Sequence, residues 1–235
     1  MAVATNGNFA ITLHQSWFTL PTGARAALAE QWSGLAAGGL PCGSAIVAAD
    51  DTIIALGRNR AYDPPGEIAT RARYPLQHNR LAHAELNALA CIPTEVDHAP
   101  LTLWTTQHPC AMCAAAIAFV GIGAVRFIAE DPSDDSSPAQ IAATRAGVPY
   151  AALGDPLWWT IVNLLFLYSS AVQFGEQAGN VRANCDRYPA LIALTLDLAR
   201  GDTLGAAARA GIALPLALEP HYATIARVAA QRTLL

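Results

Sequence analysis

The chain has 235 residues, 53% of them hydrophobic, which suits one large domain or a domain with an appendage and can bury a substantial core. A net charge of −4, a pI near 5.8 and only 14 Lys plus Arg lack the positive footprint of a nucleic-acid binder and favour small substrates. Five cysteines are an odd number. Two of them fall in a metal motif, and Cys42, Cys91 and Cys185 read as buried thiols rather than a disulfide framework, as a reducing, cytoplasmic setting predicts. Residues 1–20 show no basic segment followed by an apolar run, so no secretory signal is expected.

In chain order, Pro21 and Thr22 open a predicted helix that runs to residue 35 and ends at Gly38-Gly39. Residues 44–49 and 52–56 are β-rich runs around Asp50-Asp51, the pattern of a hairpin. A Pro- and Arg-rich stretch, 61–80, precedes a short helix at 86–90. Arg58, Arg60, Arg71, Arg73 and Arg80 cluster around that stretch and read as the charges of a solvated loop, with phosphate binding as the other reading. A strand at 101–105 leads into a helix marked by Pro109, which suits a first helical position. Residues 124–129 form a fourth strand, and the acidic 130–135 a loop from which Glu130 or Asp131 can turn toward a ligand. Pro138 starts a helix and 148–153 gives a fifth strand. From Gly154 onward the pattern is helical, at 157–174, 190–200, 202–210 and 222–233. The run 157–174 is mostly apolar, yet Thr160, Asn163, Ser169, Ser170 and Gln173 interrupt it and no Lys or Arg flanks it. A buried or subunit-interface helix is expected there, not a membrane span.

Chemistry concentrates in His83-Ala84-Glu85 and Pro109-Cys110-Ala111-Met112-Cys113, with Pro109 24 positions after Glu85. His83, Cys110 and Cys113 are three nitrogen and sulfur ligands, the number a catalytic zinc ion takes while keeping its fourth position for water. Cys110 and Cys113, i and i+3, project from one helix face. His83 and Glu85, i and i+2, reach one metal only at the irregular N-terminus of a helix. Two helix N-termini then converge on the metal, and their partial positive charge favours thiolates. Glu85 is not needed as a ligand, and a carboxylate in that position can carry protons from water to a leaving amine.

These residues match the signature H-x-E…P-C-x-x-C of zinc-dependent base deaminases, and the chain resembles the cytidine deaminase superfamily over about residues 40–150. The segment Gly57-Arg58-Asn59-Arg60 is similar to that of the branch containing tRNA adenosine deaminases and bacterial guanine deaminases. The resemblance implies a three-layer α/β/α sandwich with a mixed five-stranded sheet over residues 1–153. A helical C-terminal extension, 154–235, is expected to pack on it. It further implies zinc as cofactor, Glu85 as the catalytic residue and Asn59 as a hydrogen-bonding partner of the base. Backbone N–H groups of Ala84 and Cys110 are implied to contact the ring substituent, and a cytoplasmic homodimer is implied as the assembly. Two departures stand out. Asn59 lies 24 residues before His83, more than is usual in that branch, so 61–80 is inserted beside the pocket. His108 stands where many relatives carry glutamate, and is a candidate for lining the pocket.

The expected activity is hydrolytic deamination of a free nucleobase or nucleoside, leaning toward a purine-type ring. The alternatives are a tRNA adenosine-to-inosine deaminase, which the acidic pI weakens but the Arg-rich insertion keeps open, and a non-catalytic binding protein, which would have no use for Glu85. A Cys-x-x-Cys redox centre would not require His83 and Glu85. A structural zinc site would normally use a fourth protein ligand. His98 and His221 are isolated and read as surface residues, whereas His78 is close enough to the metal motif in sequence to help hold substrate.

Overall fold

Alternation of apolar and small residues on either side of Asp50-Asp51 produces the expected hairpin, with β1 (Gly43–Val47) antiparallel to β2 (Ile53–Arg58) and Asp51 turning the chain at φ 64°. It belongs to a computed structural model that describes residues 12–63, 76–132 and 147–232. Strand β3 (Thr102–Gln107) pairs antiparallel with β1, and β4 (Ala124–Ala129) and β5 (Tyr150–Ala152) add parallel strands. The sheet is mixed and five-stranded, in the order β2-β1-β3-β4-β5.

Two apolar clusters flank it. On one face Ile46, Ala55, Leu103 and Val125 of the strands meet Ala88 and Leu89 of helix α3 (Ala84–Leu89) and Ile117 of α4 (Ala111–Val120). On the other, Leu28, Trp32 and Leu35 of α2 (Thr22–Ala36) join Ile128 of β4 and the long helix α5 (Pro156–Phe174). Adjacent strand residues take opposite faces, Leu103 in the first cluster and Trp104 against the second, as a pleated strand requires. The layered α/β/α sandwich is therefore present. A short helix α1 (Leu13–Thr19), which no sequence signal marked, adds Leu13 to the second cluster behind a capping box of Thr12 and Gln15.

Past α5, helices α6 (Gly179–Asn184), α7 (Pro189–Ala199), α8 (Thr203–Arg209), α9 (Leu214–Leu218) and α10 (Tyr222–Arg232) complete the described chain. They share the α2 cluster through Leu191, Leu204, Leu218 and Ile225. Helix α5 is long and apolar enough to cross a membrane, but 67% of its apolar window is buried, and Trp158, Ile161, Leu164, Leu165 and Leu167 are packed in the core. It is the buried helix expected. Hydrogen bonds across the layers fix it: Gln31 Nε2 donates to the Val162 carbonyl and Trp158 Nε1 to Ser16 Oγ, each at 3.0 Å.

Two close approaches set the sheet against its helices. A Cβ on Gly43 would lie 2.0 Å from the Ala27 carbonyl oxygen of α2, and one on Gly57 would lie 2.2 Å from the Ala84 oxygen and 2.4 Å from the Ala88 nitrogen of α3. Only glycine allows this backbone contact.

Several expectations need correction. Pro109 precedes the helix and is not its first residue, because Cys110 is the N-cap of α4. Arg58 and Arg60 are buried, not solvated. Asp63 accepts from both Arg58 terminal nitrogens, at 3.0 and 2.6 Å, and from Arg60 Nε at 2.9 Å. Arg80 is exposed, as a solvated loop predicts, while Arg71 and Arg73, and the helix expected at Pro138, lie outside the described residues. All five cysteines are free, but Cys185 is exposed and Cys42 and Cys91 are only partly buried.

Candidate active site

His83 and Cys110 are the N-caps of α3 and α4, both in extended conformation, so the two helix starts face one point. Each motif follows the sheet closely: α3 is held against β2 at Gly57, and β3 runs directly into the cysteine loop. The His83 Nδ1 atom lies 3.7 Å from Cys110 Sγ and 3.6 Å from Cys113 Sγ, with all three ligand atoms within 4.8 Å of one another. Tetrahedral zinc, with bonds of ~2.3 Å to sulfur and ~2.0–2.1 Å to nitrogen, separates N and S ligands by about 3.6 Å. The donor set and its spacing fit zinc.

Electrostatics prepare these ligands unequally. Hydrogen bonding from Cys113, aided by His83, pulls the Cys110 thiol down to about 4. Donating that hydrogen bond, together with burial, drives Cys113 in the opposite direction. His83 is raised, chiefly by its hydrogen bond to the Cys110 sulfur. Glu85, 6% exposed, accepts from Thr105 Oγ1 at 3.0 Å through Oε1, and its Oε2 lies 3.5 Å from Cys113 Sγ. Burial raises its carboxyl above the ordinary glutamate value, making it easier to protonate.

Around this core a cavity of about 90 Å³ is lined by Asn59, Ala84, Glu85 and His108, among others. The Asn59 Oδ1 atom accepts from the Ala61 N–H at 3.0 Å, leaving its amide NH₂ as the end that can donate. The Arg58–Asp63–Arg60 ion triad holds the turn that follows it. Ala84 is the first residue of α3, so its N–H has no helical acceptor and is available to a ligand. His108 packs edge-on to Phe127 and tilts against Tyr150.

Of the two acidic candidates only Asp131 lines the cavity. Glu130 turns away, accepting from Trp159 Nε1 and from Arg232 at 2.9 Å. His78 does not border the cavity; its Nδ1 meets the Asp63 carbonyl at 3.1 Å. Four further lining residues, Leu40, Cys42, Gln107 and Phe166, were not marked by sequence reasoning. Gln107 adjoins the His108 motif and was within reach of it. Phe166 comes from α5, and its only trace in the sequence is the polar interruption of that helix.

The family described as "Cytidine and deoxycytidylate deaminase zinc-binding region" matches residues 22–129. A cytosine deaminase of Candida albicans is 29% identical over 102 residues, 42% of this chain, and the chain spans 59% of that relative's length. Among solved structures, a guanine deaminase from Nitrosomonas europaea covers 71% of this chain and 98% of its own at 19% identity and TM-score 0.48. A structure from a study of A-to-I editing by tRNA:A34 deaminases covers 55% and 90% at 23% identity and TM-score 0.43. The span matched by the family, residues 22–129, contains His83, Glu85, Cys110 and Cys113, so the similarity takes in the whole candidate metal centre and its carboxylate.

Proposed function

We propose that the protein is a zinc-dependent hydrolytic deaminase of a free nucleobase or nucleoside, releasing ammonia. The observation that carries this reading is the meeting, in one cavity, of the His83–Cys110–Cys113 ligand set with the buried carboxylate of Glu85. Zinc, when bound, supplies Lewis acidity and brings the pKa of a water to roughly 7. His83 Nδ1 and the two sulfurs hold it. Glu85 takes one proton from the attacking water and passes it to the ring nitrogen, then takes the second from the added hydroxyl as the carbonyl forms and the C–N bond breaks, and passes it to the departing amine, which leaves as ammonia. The Thr105 hydroxyl keeps that carboxylate turned inward. Asn59 donates its amide to an acceptor on the ring, the N–H groups of Ala84 and Cys110 contact the ring substituent, and His108 closes one wall.

The lean toward a purine-type ring rests on Asn59 and the wording of the cysteine motif, while the curated relative is named for cytosine. Nucleic acid is disfavoured by an added physical reason: Arg58 and Arg60, the cations next to Asn59, are committed to Asp63. The same proposal takes residues 1–153 as the catalytic unit and 154–235 as its helical cover, working as a homodimer in the cytoplasm.

Ammonia release from bases, nucleosides, nucleotides and a tRNA control tests the activity. Glu85→Ala is expected to keep zinc and lose about 10²–10⁴ in rate, while His83→Ala loses zinc and turnover together. A fully active Glu85→Ala protein overturns the mechanism.

A further inference from the structure

Helix α5 is polar where a core helix has no need to be. Asn163, Phe166, Ser170 and Gln173 recur at intervals of three and four, so they share one side of the helix, with Ser169 at its margin. At the deep end, fully buried Asn163 accepts a 2.9 Å hydrogen bond from Gln107 Nε2, fixing a side chain that lines the catalytic cavity. One turn on, Phe166 borders two spaces at once. Together with Leu40 it lines both the catalytic cavity and a neighbouring cleft. Beyond it, Ser169, Ser170 and Gln173 wall that cleft, facing Asn180 and, from the 61–80 insertion, Tyr62.

Volume and chemistry decide what the cleft is for. The catalytic cavity alone, about 90 Å³, falls below the roughly 300–1,000 Å³ of small-molecule sites. The adjoining cleft, about 510 Å³, brings the pair into that range. Among the described residues its lining offers hydroxyls and amides and carries no Lys or Arg. The Gly38 and Gly39 N–H groups at its edge are already bonded to the Leu35 and Gly34 carbonyls, so this glycine pair offers no donors to an anion. Among the described lining residues a phosphate would find no cation, and the N–H pair of Gly38 and Gly39 is already taken. An uncharged, hydroxyl-bearing group would find several partners.

Resting on the deaminase reading above, we infer that this cleft is a second subsite, built by α5, for an uncharged polyhydroxyl substituent such as a ribosyl group on the ring that enters the catalytic cavity. Leu40 and Phe166 form the neck between ring and substituent, and the extension past residue 153 selects the substrate as well as covering the sheet.

The test compares guanine, adenine and cytosine with their ribonucleosides and 5′-monophosphates, by steady-state ammonia release from the zinc-loaded protein. The wild type is expected to show a KM at least tenfold lower for one nucleoside than for its base, with the monophosphate weaker than the nucleoside. In the double variant Ser169→Ala/Gln173→Leu that nucleoside-to-base KM advantage collapses about tenfold while kcat for the nucleoside changes little, a split that general destabilisation would not give. A wild type that prefers the base or the monophosphate, or a double variant that keeps the advantage, overturns the subsite and leaves the deaminase reading intact. Absence of ammonia from every compound fails the deaminase reading instead. Equilibrium dialysis of the nucleosides and bases against the Glu85→Gln protein then reads the cleft by itself, with preferential nucleoside binding supporting it and equal binding overturning it.

Discussion

Cys110 and Cys113 sit one helical turn apart with opposite proton affinities, and the asymmetry has a consequence for metal uptake. Without metal, the Cys110 sulfur is already a thiolate at neutral pH, stabilised by the Cys113 hydrogen bond and by His83, whereas Cys113 holds its proton and His83 is raised. Zinc needs both sulfurs as thiolates and a neutral imidazole, so binding must expel protons from Cys113 and from the protonated fraction of His83. Cys110 releases none. At pH 7 the uptake of zinc by metal-free protein is therefore expected to release about one to two protons, where two ordinary thiols would release about two to three. The sign follows: lowering pH raises the protonated fraction of His83 and opposes metal, so zinc affinity falls as pH falls. Calorimetric titration in buffers of different ionisation enthalpy measures the proton count, and a release above two would contradict the preformed Cys110 thiolate.

At the scale of elements, the short helix α3 carries Glu85 and follows His83, yet six residues cannot hold themselves in place. Two contacts pin it. Gly57 lets β2 touch its backbone, and Asn87 Nδ2 donates to the Arg58 carbonyl at 3.0 Å while Asn87 Oδ1 accepts from the Leu76 N–H at 2.9 Å. A methyl group at Gly57 would meet backbone atoms at 2.2 and 2.4 Å, which no rotamer change relieves. Gly57→Ala is expected to cost about 1–3 kcal/mol in stability. A displacement of Glu85 by about 1 Å would lower turnover about 100-fold. Thermal unfolding and ammonia release check both, and a variant with wild-type turnover would show that β2 does not position α3.

The same local character explains what could be read from the chain. Strand β4 has the predicted bounds because its apolar run and flanking turns are short-range signals. The zinc ligands were legible because two caps and their spacing lie within a few residues of each motif. Arg58 and Arg60 were misread because their partner, Asp63, carries no sign in sequence of where it points. Phe166 and Gln107 escaped for a related reason: the α5 face that brings them to the cavity is defined by packing over more than fifty residues of chain separation.

Across the whole molecule, the helices after residue 153 and the sheet are not separable layers, because one apolar cluster contains Leu13 of α1, Leu28 and Trp32 of α2, Ile128 of β4 and most of α5. The polar links run through it as well: Gln31 to Val162, Trp158 to Ser16, and Trp32 Nε1 to the Ile212 carbonyl at 2.8 Å. Removing 154–235 would uncover the second face of the sheet and the inner side of α2. It would also take away Trp158, Ile161, Leu164, Leu165, Leu167 and Tyr168, each fully buried. At about 1.5–3 kcal/mol for each large apolar side chain, these six alone contribute on the order of 10 kcal/mol. That is comparable with the whole stability of a typical domain, roughly 5–15 kcal/mol. A fragment ending at residue 153 is therefore expected not to fold cooperatively, and to show an exposed apolar surface by dye binding and no sharp thermal transition. The chemistry can be drawn from residues 22–129 alone, but the folded unit that performs it requires the C-terminal helices. A 1–153 fragment that melted cooperatively near the full-length temperature would refute that dependence.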